Sequence, residues 1–162
     1  MLVISLKAFV SPLADIEDSV RGSRIVIGDG TRIDAFVKVK PAGGSGDITI
    51  GANTHINSGV VIYSGNGVTI GDNVLVAANC TLAPVNHEFR RCDALIVEQR
   101  FQPSRGGIVI EDDVWIGANC VILDGATLRT GCVIGAHSLV KGEISAYSIN
   151  VGCPLRCAGF RQ

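Results

Sequence analysis

The chain of 162 residues is long enough for one domain with a single core, and its 14 Lys and Arg nearly balance its 15 Asp and Glu. This balance and a sequence pI of about 6.3 give no electrostatic basis for binding nucleic acid or an anionic membrane surface. The apolar runs are short and interrupted, so none is long enough to span a bilayer. Because the first residues lack the basic segment of a signal peptide, we expect a cytoplasmic protein.

The N-terminal half shows an interrupted repeat of six residues. Residues 1 to about 24 are weakly periodic and predict an irregular or partly helical cap over one end of a solenoid. The Gly-rich residues 41–46 predict a loop, and residues 64–67 shift the repeat by two positions. In each of the three segments that these breaks separate, an aliphatic residue recurs at every sixth position. The three series are Ile27, Ile33 and Val39; Ile50, Ile56 and Ile62; and Ile70, Val76 and Leu82.

The repeat then stops over residues 83–107. A long insertion in a regular solenoid has no place in the core, and such loops usually carry binding or catalytic residues. The insertion contains the dipeptide Asn86-His87, together with Glu88, Phe101 and four arginines: Arg90, Arg91, Arg100 and Arg105.

The repeat resumes at residue 108 and predicts the fold class. Helical burial recurs every 3.6 residues and strand burial every two, so a sustained period of six indicates an all-β, parallel β-helix of hexapeptides. We place this β-helix at residues 25–152 of a single domain, with a tail at 153–162 that leaves the repeat at Pro154 and covers the last coil. The predicted inward residues are Ile110, Ile116, Ile122, Leu128, Ile134, Val140, Ala146 and Gly152, with Val114, Cys120, Ala126, Cys132, Ser138 and Ile144 at the corners.

The six cysteines divide into two groups. Cys80, Cys120 and Cys132 fall on inward corner positions, where a thiol acts as a small apolar side chain. The other three, Cys92, Cys153 and Cys157, match no zinc-ligand spacing. We therefore expect reduced cysteines without a catalytic role.

The residues that precede the inward aliphatics should point out of the prism. In the C-terminal half they are Val109, Trp115, Val121, Thr127, Val133 and Leu139. A solvated sheet face should be polar at these positions, so an apolar outer column favours burial against another subunit. A three-sided prism is suited to a cyclic homotrimer.

Four segments carry a resemblance to a known family: residues 68–74 (VTIGDNV), the pair Asn86-His87, residues 111–118 (EDDVWIGA) and residues 133–136 (VIGA). Over residues 25 to 157 the chain resembles the hexapeptide-repeat, left-handed β-helix acyltransferases. Within them it is similar to the maltose/galactoside O-acetyltransferases and to acetyltransferases of polysaccharide biosynthesis. The resemblance implies left-handed coiling, acetyl-CoA as co-substrate, a sugar or nucleotide-sugar acceptor, and no metal.

The resemblance also implies roles for residues on the acceptor side. The family's histidine falls on His87, whose imidazole has the pKa range of a general base for the attacking hydroxyl. An acceptor-side asparagine falls on Asn57, although Asn is also common in turns. The family's acidic acceptor contact falls on Gly65, which leaves the acceptor open, with Glu88 or Asn66 as conceivable substitutes.

On the coenzyme side, Trp115 matches a tryptophan of the cleft between subunits. Ala118 and Ala136 match positions whose backbone groups bind the pantetheine arm of coenzyme A. Lys141 stands one position from the family's lysine and is the expected cationic contact. Arg156 and Arg161 are candidates for the coenzyme phosphates, and His137 replaces the usual glycine.

Two alternatives remain beside an acetyl-CoA-dependent O-acetyltransferase. One is a non-catalytic β-helix scaffold, because repeat surfaces often serve as binding platforms. The other is a γ-type carbonic anhydrase, which binds zinc through three histidines, two of them five residues apart. The histidines of this chain are His55, His87 and His137, and no two are that close in sequence. The choice between oxygen and nitrogen as the acceptor atom stays open.

Overall fold

A computed structural model describes all residues, 1–162, and shows a prism of three β-sheets that contain seven, eight and six strands. Each coil contributes one strand to each sheet before the chain begins the next coil. All strand pairs are parallel except the last pair of the second sheet. We call the sheets the first, second and third faces, in the order in which the chain visits them.

The strands are two to five residues long and are separated by tight corners. Before the insertion they are β1 (Leu2–Ile4), β2 (Phe9–Val10), β3 (Asp15–Ile16), β4 (Ile25–Ile27), β5 (Arg32–Ile33), β6 (Lys38–Lys40), β7 (Ile48–Ile50), β8 (His55–Ile56), β9 (Val61–Tyr63), β10 (Val68–Ile70), β11 (Leu75–Val76) and β12 (Thr81–Ala83). After it they are β13 (Ile108–Ile110), β14 (Trp115–Ile116), β15 (Val121–Leu123), β16 (Thr127–Leu128), β17 (Val133–Ile134), β18 (Leu139–Val140), β19 (Glu143–Ile144), β20 (Ser148–Val151) and β21 (Arg156–Phe160).

The faces follow from this order. The first face is β1-β4-β7-β10-β13-β16-β19, the second is β2-β5-β8-β11-β14-β17-β20-β21, and the third is β3-β6-β9-β12-β15-β18. The inserted loop joins β12 on the third face to β13 on the first, and it contains the only helix, α1 (Ile96–Gln99). No helix of the structure is both long and apolar enough to cross a membrane.

The period of six is confirmed as the organising pattern of the core. The aliphatic residues of successive coils pair in register along each face, for example Ile56 with Val76, Val76 with Ile116, and Ile116 with Ile134. A single cluster of 28 buried apolar residues fills the prism from Ile25 in the second coil to Ile144 in the last. Full burial of one such side chain stabilises a fold by about 1.5–3 kcal/mol, so this cluster is the main source of stability.

Buried polar atoms at the corners are paired with the backbone of the next coil. The Thr31 hydroxyl donates to the Gly51 carbonyl oxygen at 2.6 Å, and the Thr54 hydroxyl donates to the Gly71 carbonyl oxygen at 2.9 Å. The predicted inward cysteines Cys80, Cys120 and Cys132 are confirmed as fully buried. These small side chains fill the corners, and among the buried side-chain oxygen and nitrogen atoms only the Ser23 hydroxyl has no hydrogen-bond partner.

The prediction of an irregular or partly helical N-terminal cap is wrong. Strands β1, β2 and β3 form a complete coil that pairs with β4, β5 and β6, with Leu2 opposite Ile25, Val10 opposite Ile33 and Ile16 opposite Val39. The repeat therefore begins in this coil, and residues 17–24 form a longer corner that breaks the spacing in the sequence. The side chains of this terminal coil are only partly buried because no further coil covers them.

The predicted inward positions at Ala146 and Gly152 are also wrong. Leu128 pairs with Ile144, 16 residues later, whereas Ile110 pairs with Leu128, 18 residues later. The corner at Gly142 is tight, with a φ of +72°, and it shortens the last coil by two residues. Ile144 therefore points inward, Ala146 is exposed, and Asn150 pairs with Ile134 on the second face.

The C-terminal tail covers the last coil as predicted. Its strand β21 pairs antiparallel with β20, with Arg156 opposite Val151 and Phe160 opposite Ser148. This arrangement occupies the free edge of the second face. An unpaired edge strand is a template for unwanted association, so the tail protects this end of the prism.

The outward-pointing apolar residues do not form one column. Successive hexapeptides lie on successive faces, so residues on the same face are 18 apart: Trp115 pairs with Val133, and Val121 pairs with Leu139. The second face does carry an apolar column, formed by Leu75, Trp115 and Val133, in which Leu75 is 46% and Trp115 is 52% exposed. The other outward residues of the predicted set belong to the first and third faces.

The two groups of cysteines should differ in reactivity in the native protein. We expect a thiol reagent to label Cys92, Cys153 and Cys157, which are exposed, and to leave the buried three unmodified until the protein unfolds. Burial raises the pKa of the Cys132 thiol to about 11, which further suppresses its reactive thiolate at neutral pH. Peptide mass spectrometry after timed labelling measures this difference. Rapid native labelling of Cys80, Cys120 or Cys132 would contradict the packing.

The register of the shortened last coil can be tested by comparing the unfolding free energies of variants at positions 144 and 146. Ile144→Ala removes a buried side chain, so we expect a loss toward the lower end of about 2–5 kcal/mol in chemical denaturation. The matched variant Ala146→Ser changes an exposed position and should stay within about 0.5 kcal/mol of the parent protein. A loss of more than about 1 kcal/mol for Ala146→Ser would show that Ala146 is buried, as an unbroken six-residue repeat requires.

Candidate active site

His87 lies at the start of the inserted loop, four residues after the end of β12 on the third face. Its backbone forms an antiparallel bridge with Phe101 on the returning limb, and the two ring centroids are 4.8 Å apart with the planes inclined by 41°. The imidazole is exposed and engages in no hydrogen bond or ion pair within the chain. It is therefore held by packing on one side and open on the others.

Hydrogen bonds join the two limbs of the loop on either side of His87. The Gln102 amide donates to the Asn86 carbonyl oxygen at 2.8 Å, and the Glu88 amide donates to the Arg100 carbonyl oxygen at 3.0 Å. The amides of Arg90 and Phe89 donate to the Glu88 carboxylate and hold the pKa of that carboxyl below its ordinary value. Glu88 thus stabilises the loop as an anion.

Asp124 fixes the other end of the loop, where the chain returns to the prism. This residue is 4% exposed, and its carboxylate accepts hydrogen bonds of 2.9 Å from the amides of Arg105 and Gly107. It also accepts one of 3.1 Å from the side-chain amide of Asn66, on the coil below. The carboxylate links two coils and the end of the loop, which holds residues 105–107 against the corner of the prism.

A pocket of about 280 Å³ opens on one side of His87, toward the N-terminal coils. We call it the apolar pocket. His87 and Tyr63 supply the polar side-chain atoms of the lining, and the remaining wall is apolar or glycine: Ala42, Gly43, Ala83, Val85 and Phe101. Such a surface suits an uncharged ligand group.

A second pocket, of about 460 Å³, lies on the other side of His87, toward the C-terminal coils. We call it the cationic pocket; it is lined by Asn86, His87, Phe89, Arg90, Gln102, Arg105, Leu123 and Lys141. Arg90 is 3.5 Å from the Glu88 carboxylate, but neither Arg105 nor Lys141 forms an ion pair. Two free cations beside an exposed imidazole suit a ligand that carries phosphate.

The predicted coenzyme residues Ala118 and Ala136 lie at another corner, between the second and third faces. Ala118 follows β14, Ala136 follows β17, and the His137 amide donates to the Ala118 carbonyl oxygen at 2.9 Å. His137 has a φ of +59°, and Asn79 and Asn119 hold the same left-handed conformation at this corner of earlier coils. The position thus selects residues that tolerate positive φ, and its glycine-like backbone explains why His137 can replace a glycine.

Asn57 lies at this same corner, following β8. Its side-chain amide donates to the Val76 carbonyl oxygen of the next coil at 2.9 Å. This contact is the ordinary turn chemistry of asparagine, and the predicted contact with an acceptor remains a prediction. Within one chain, Asn57 and His87 belong to different corners, so one prism does not unite them in one site.

The remaining predicted residues fall into separate places. Lys141 shares the cationic pocket with His87 and is not at the corner of Ala118 and Ala136. Trp115 projects from the second face, and Arg156 begins β21 at the end of that face. Arg161 is engaged inside the chain, because it donates to Asp113 and to the Gly131 carbonyl oxygen at 2.8 and 2.9 Å.

Packing explains why Gly65 stands where the family has an acidic residue. A Cβ on Gly65 would lie 2.9 Å from Pro84 Cγ and 3.0 Å from the Pro84 carbonyl oxygen. The start of the inserted loop therefore lies directly on this corner. Of the two conceivable substitutes, Glu88 binds loop amides and Asn66 binds Asp124, so both side chains already have structural partners.

The three histidines lie apart. His55 points outward from β8 on the second face, His87 is in the loop, and His137 is at the corner between the second and third faces. No group of three His, Cys, Asp or Glu side chains is arranged to hold a metal ion. This geometry gives no support to the carbonic anhydrase alternative.

Sequence reasoning missed Asp124 and Tyr63 near His87, and it named Arg105 only as one of four arginines in the insertion. Asp124 was not singled out, although the dipeptide Asp124-Gly125 is a turn signal at a corner of the repeat. Tyr63 and Arg105 reach the pockets only through the folding of the coils and of the loop. No spacing in the sequence relates them to His87.

Family models match two segments of the repeat. The model described as bacterial transferase hexapeptide (six repeats) matches residues 107–142, and the hexapeptide repeat of succinyl-transferase matches residues 47–84. The galactoside O-acetyltransferase of Escherichia coli K12 is 40% identical over 114 residues, which are 68% of this chain and 52% of that protein. The chain thus spans about half the length of that relative.

A second relative is covered more fully. The putative lipopolysaccharide biosynthesis O-acetyl transferase WbbJ of Escherichia coli K12 is 31% identical over 140 residues, which are 83% of this chain and 68% of that protein. Among solved structures, AntD, an N-acyltransferase from Bacillus cereus in complex with dTDP and 3-hydroxybutyryl-CoA, superposes with a TM-score of 0.83 at 26% identity, over 99% of this chain and 83% of AntD. With its repeat, its fold and these relatives, the chain belongs to the hexapeptide-repeat acyltransferases, and its prism is the left-handed β-helix of that family.

Proposed function

We propose that the protein transfers an acetyl group from acetyl-CoA to a hydroxyl or amino group of a sugar or nucleotide sugar. One observation carries the proposal: an exposed imidazole, His87, stands between an apolar and a cationic pocket on an acyltransferase fold. The relatives support the substrate class, because one is named a galactoside O-acetyltransferase and AntD was solved with dTDP and an acyl-CoA.

In the proposed mechanism the acceptor attacks the thioester directly. An imidazole nitrogen of His87 takes the proton of the acceptor hydroxyl as its oxygen bonds to the thioester carbon. The tetrahedral oxyanion accepts a hydrogen bond from a nearby backbone amide, and its collapse breaks the carbon–sulfur bond. The imidazolium then returns the proton to the coenzyme A thiolate. No covalent acyl-enzyme is required.

The cationic pocket supports the use of a phosphorylated ligand. Arg105 and Lys141 carry positive charges without carboxylate partners in the chain, and both line the pocket that includes His87. Coenzyme A and a nucleotide sugar both contain phosphates that such groups can bind. Arg156 remains the second candidate for a coenzyme phosphate, because its side chain is exposed at the end of the second face.

Assembly as a homotrimer completes the proposed site. His87 belongs to the corner between the third and first faces, whereas Asn57, Ala118 and Ala136 belong to the corner between the second and third. A neighbouring subunit can bring its own coenzyme corner against His87, and the exposed apolar column of Leu75, Trp115 and Val133 supports such burial. The proposed active site therefore exists only between subunits, in a protein that we expect to act in the cytoplasm.

Replacement of the proposed base tests the mechanism directly. We expect His87→Ala to lower kcat by about 10²–10⁴-fold in an acetyl-CoA assay with a panel of sugars and nucleotide sugars. The matched control is His55→Ala, because His55 is also exposed but lies on the second face, away from both pockets. His55 is next to Leu75 of the apolar column, so sedimentation must first show that this control has the same oligomeric state as the parent. Near-parental turnover by His87→Ala would exclude the base assignment. Failure of the parent protein to acetylate any member of the panel would favour the scaffold alternative.

Subunit mixing tests the shared site. His87→Ala removes the base, and Ala136→Trp blocks the proposed coenzyme channel, so each homotrimer should be inactive. After subunit exchange, some interfaces combine an intact His87 with an intact Ala136, and we expect measurable activity to return. Sedimentation must show trimers throughout. A fully active monomer would refute the shared site, and exchanged trimers without activity would do so as well.

A further inference from the structure

We infer that Cys80 is a positioning residue for the coenzyme, because its buried thiol holds the Ala118 amide in an outward and unpaired orientation. The inference rests on the proposed function, in which Ala118 belongs to the corner that binds acetyl-CoA. This corner joins the second and third faces of one chain, and a neighbouring subunit would bring its His87 to it. The orientation of the amide is set by contacts within the chain, so it does not depend on the assembly.

The Cys80 thiol binds one backbone carbonyl of the next coil. The side chain is fully buried, and its Sγ donates to the Gly117 carbonyl oxygen at 3.1 Å. No other group of the chain donates to this oxygen. The neighbouring Cys120 thiol and burial both raise the pKa of the Cys80 thiol, so this thiol keeps its proton at neutral pH. Cys80 is therefore the donor that fixes the direction of the Gly117 carbonyl.

The peptide bond between Gly117 and Ala118 transmits this contact to the surface. The bond is trans, and in a trans peptide the carbonyl oxygen and the following amide point in opposite directions. Because the Gly117 carbonyl oxygen points inward to Cys80, the Ala118 amide points out of the prism. This amide donates to no group of the chain. It is therefore an unused donor for a ligand oxygen.

The equivalent amides at the corner between the first and second faces are capped by carboxylates. The Ala52 amide donates to Asp72 Oδ1 at 2.6 Å, and the Asp72 amide donates to Asp112 Oδ1 at 2.8 Å. In both pairs the carboxylate comes from the same position of the next coil. For Ala118 that position is Ala136, whose methyl group cannot accept a hydrogen bond. The chain thus caps these amides at one corner and leaves Ala118 uncapped at another.

A glycine before each amide leaves room for the oxygen that binds it. A Cβ on Gly71 would lie 2.3 Å from Asp112 Oδ1, so the carboxylate oxygen fills the space beside that glycine. A Cβ on Gly117 would lie 2.5 Å from the Ala136 nitrogen, and the three atoms nearest to it all belong to the backbone. We call this space beside Gly117 the glycine slot. A carbonyl oxygen of the coenzyme has the chemistry to take the place there that a carboxylate oxygen takes beside Gly71.

Variants of Cys80 test the role of the thiol. Cys80→Ala removes the donor, so we expect the Kd for coenzyme A, measured by calorimetry, and the KM for acetyl-CoA to rise by about 3–10-fold, the usual worth of one hydrogen bond. The KM for the acceptor and kcat should stay near the parental values, because the thiol does not contact the reacting atoms. Cys80→Ser restores a donor and should recover most of the coenzyme affinity.

The matched control is Cys132→Ala. Cys132 is also fully buried, but it lies at the corner between the first and second faces, and its thiol donates to no group. Thermal melting should show a similar loss of stability for Cys80→Ala and Cys132→Ala, because both remove one buried sulfur atom. A parental Kd and KM in Cys80→Ala, or equal changes in the two alanine variants, would overturn the inference.

A second variant closes the glycine slot without altering Cys80. Ala136→Asn places a side-chain oxygen at the position from which Asp112 caps the Asp72 amide, and its neutral amide does not repel the coenzyme phosphates. We expect the Kd for coenzyme A to rise by about tenfold. Hydrogen exchange of the Ala118 amide, followed by NMR, should become slower in this variant, and also in the parent when coenzyme A is added. Unchanged exchange of this amide in the parent with bound coenzyme A would contradict the inference.

The binding measurement separates this inference from the proposed function. Coenzyme A binding that depends on Cys80, in a protein that acetylates no sugar or nucleotide sugar, would reject the proposed function and support the inference. Acetyl transfer with a Kd for coenzyme A that is independent of Cys80 would reject the inference alone. A parent protein that neither binds coenzyme A nor transfers an acetyl group would reject both.

Discussion

The register between successive coils is the constraint on which the whole structure depends. Each strand bonds to the strand one coil away, so the backbone hydrogen bonds and the buried aliphatic residues repeat together, as in the series Ile56, Val76, Ile116 and Ile134. A change of one residue in this register would expose the inward set of a face and bury the outward set. The corners absorb all variation in length, and for that reason the functional features also lie at the corners.

The inserted loop that contains His87 does not disturb the register of the coils. Val68 pairs with Ile108 on the first face and Thr81 pairs with Val121 on the third, so the coils before and after the loop stack as if no residues had been inserted. The hydrogen bonds of Asp124 at the end of the loop and the bridge between His87 and Phe101 near its start hold it in place. A rigid prism thus presents an exposed imidazole on a segment that contributes nothing to the core.

The fold was largely predictable because burial in this protein is periodic. Ile116 or Leu82 could be assigned to the core from spacing alone, and the interruption of the spacing located the loop that contains His87. Ile144 was predicted to point inward and does so, but its place on the first face could not be predicted, because a corner that is shorter by two residues leaves a sequence compatible with two registers. The assignment of Trp115 and Val121 to one column failed for a simpler reason, since the period of six had not been extended to the 18 residues of a full coil.

The candidate site was predictable only in part. His87 was identified through the resemblance and its place in the insertion, but the two pockets depend on contacts between residues distant in sequence, such as Asn66 with Asp124, which are 58 residues apart. The roles of Asn57, Ala118, Ala136, Lys141 and Arg156 remain predictions. Lys141 shares a pocket with His87 within one chain, whereas Asn57, Ala118, Ala136 and Arg156 occupy other corners and faces and would meet His87 only in the proposed trimer.

The unbroken register across the loop has a consequence for how such a protein diversifies. Because the core is complete without residues 84–107, the length and sequence of this segment can change while the coils keep their stacking. Asp124 and the third-face strand β12 then act as fixed attachment points for an exchangeable module. Transplanting the loop between prisms of the same register would therefore carry the surroundings of His87 with it. Under the proposed function, such an exchange would change the acceptor preference while the coils stay the same.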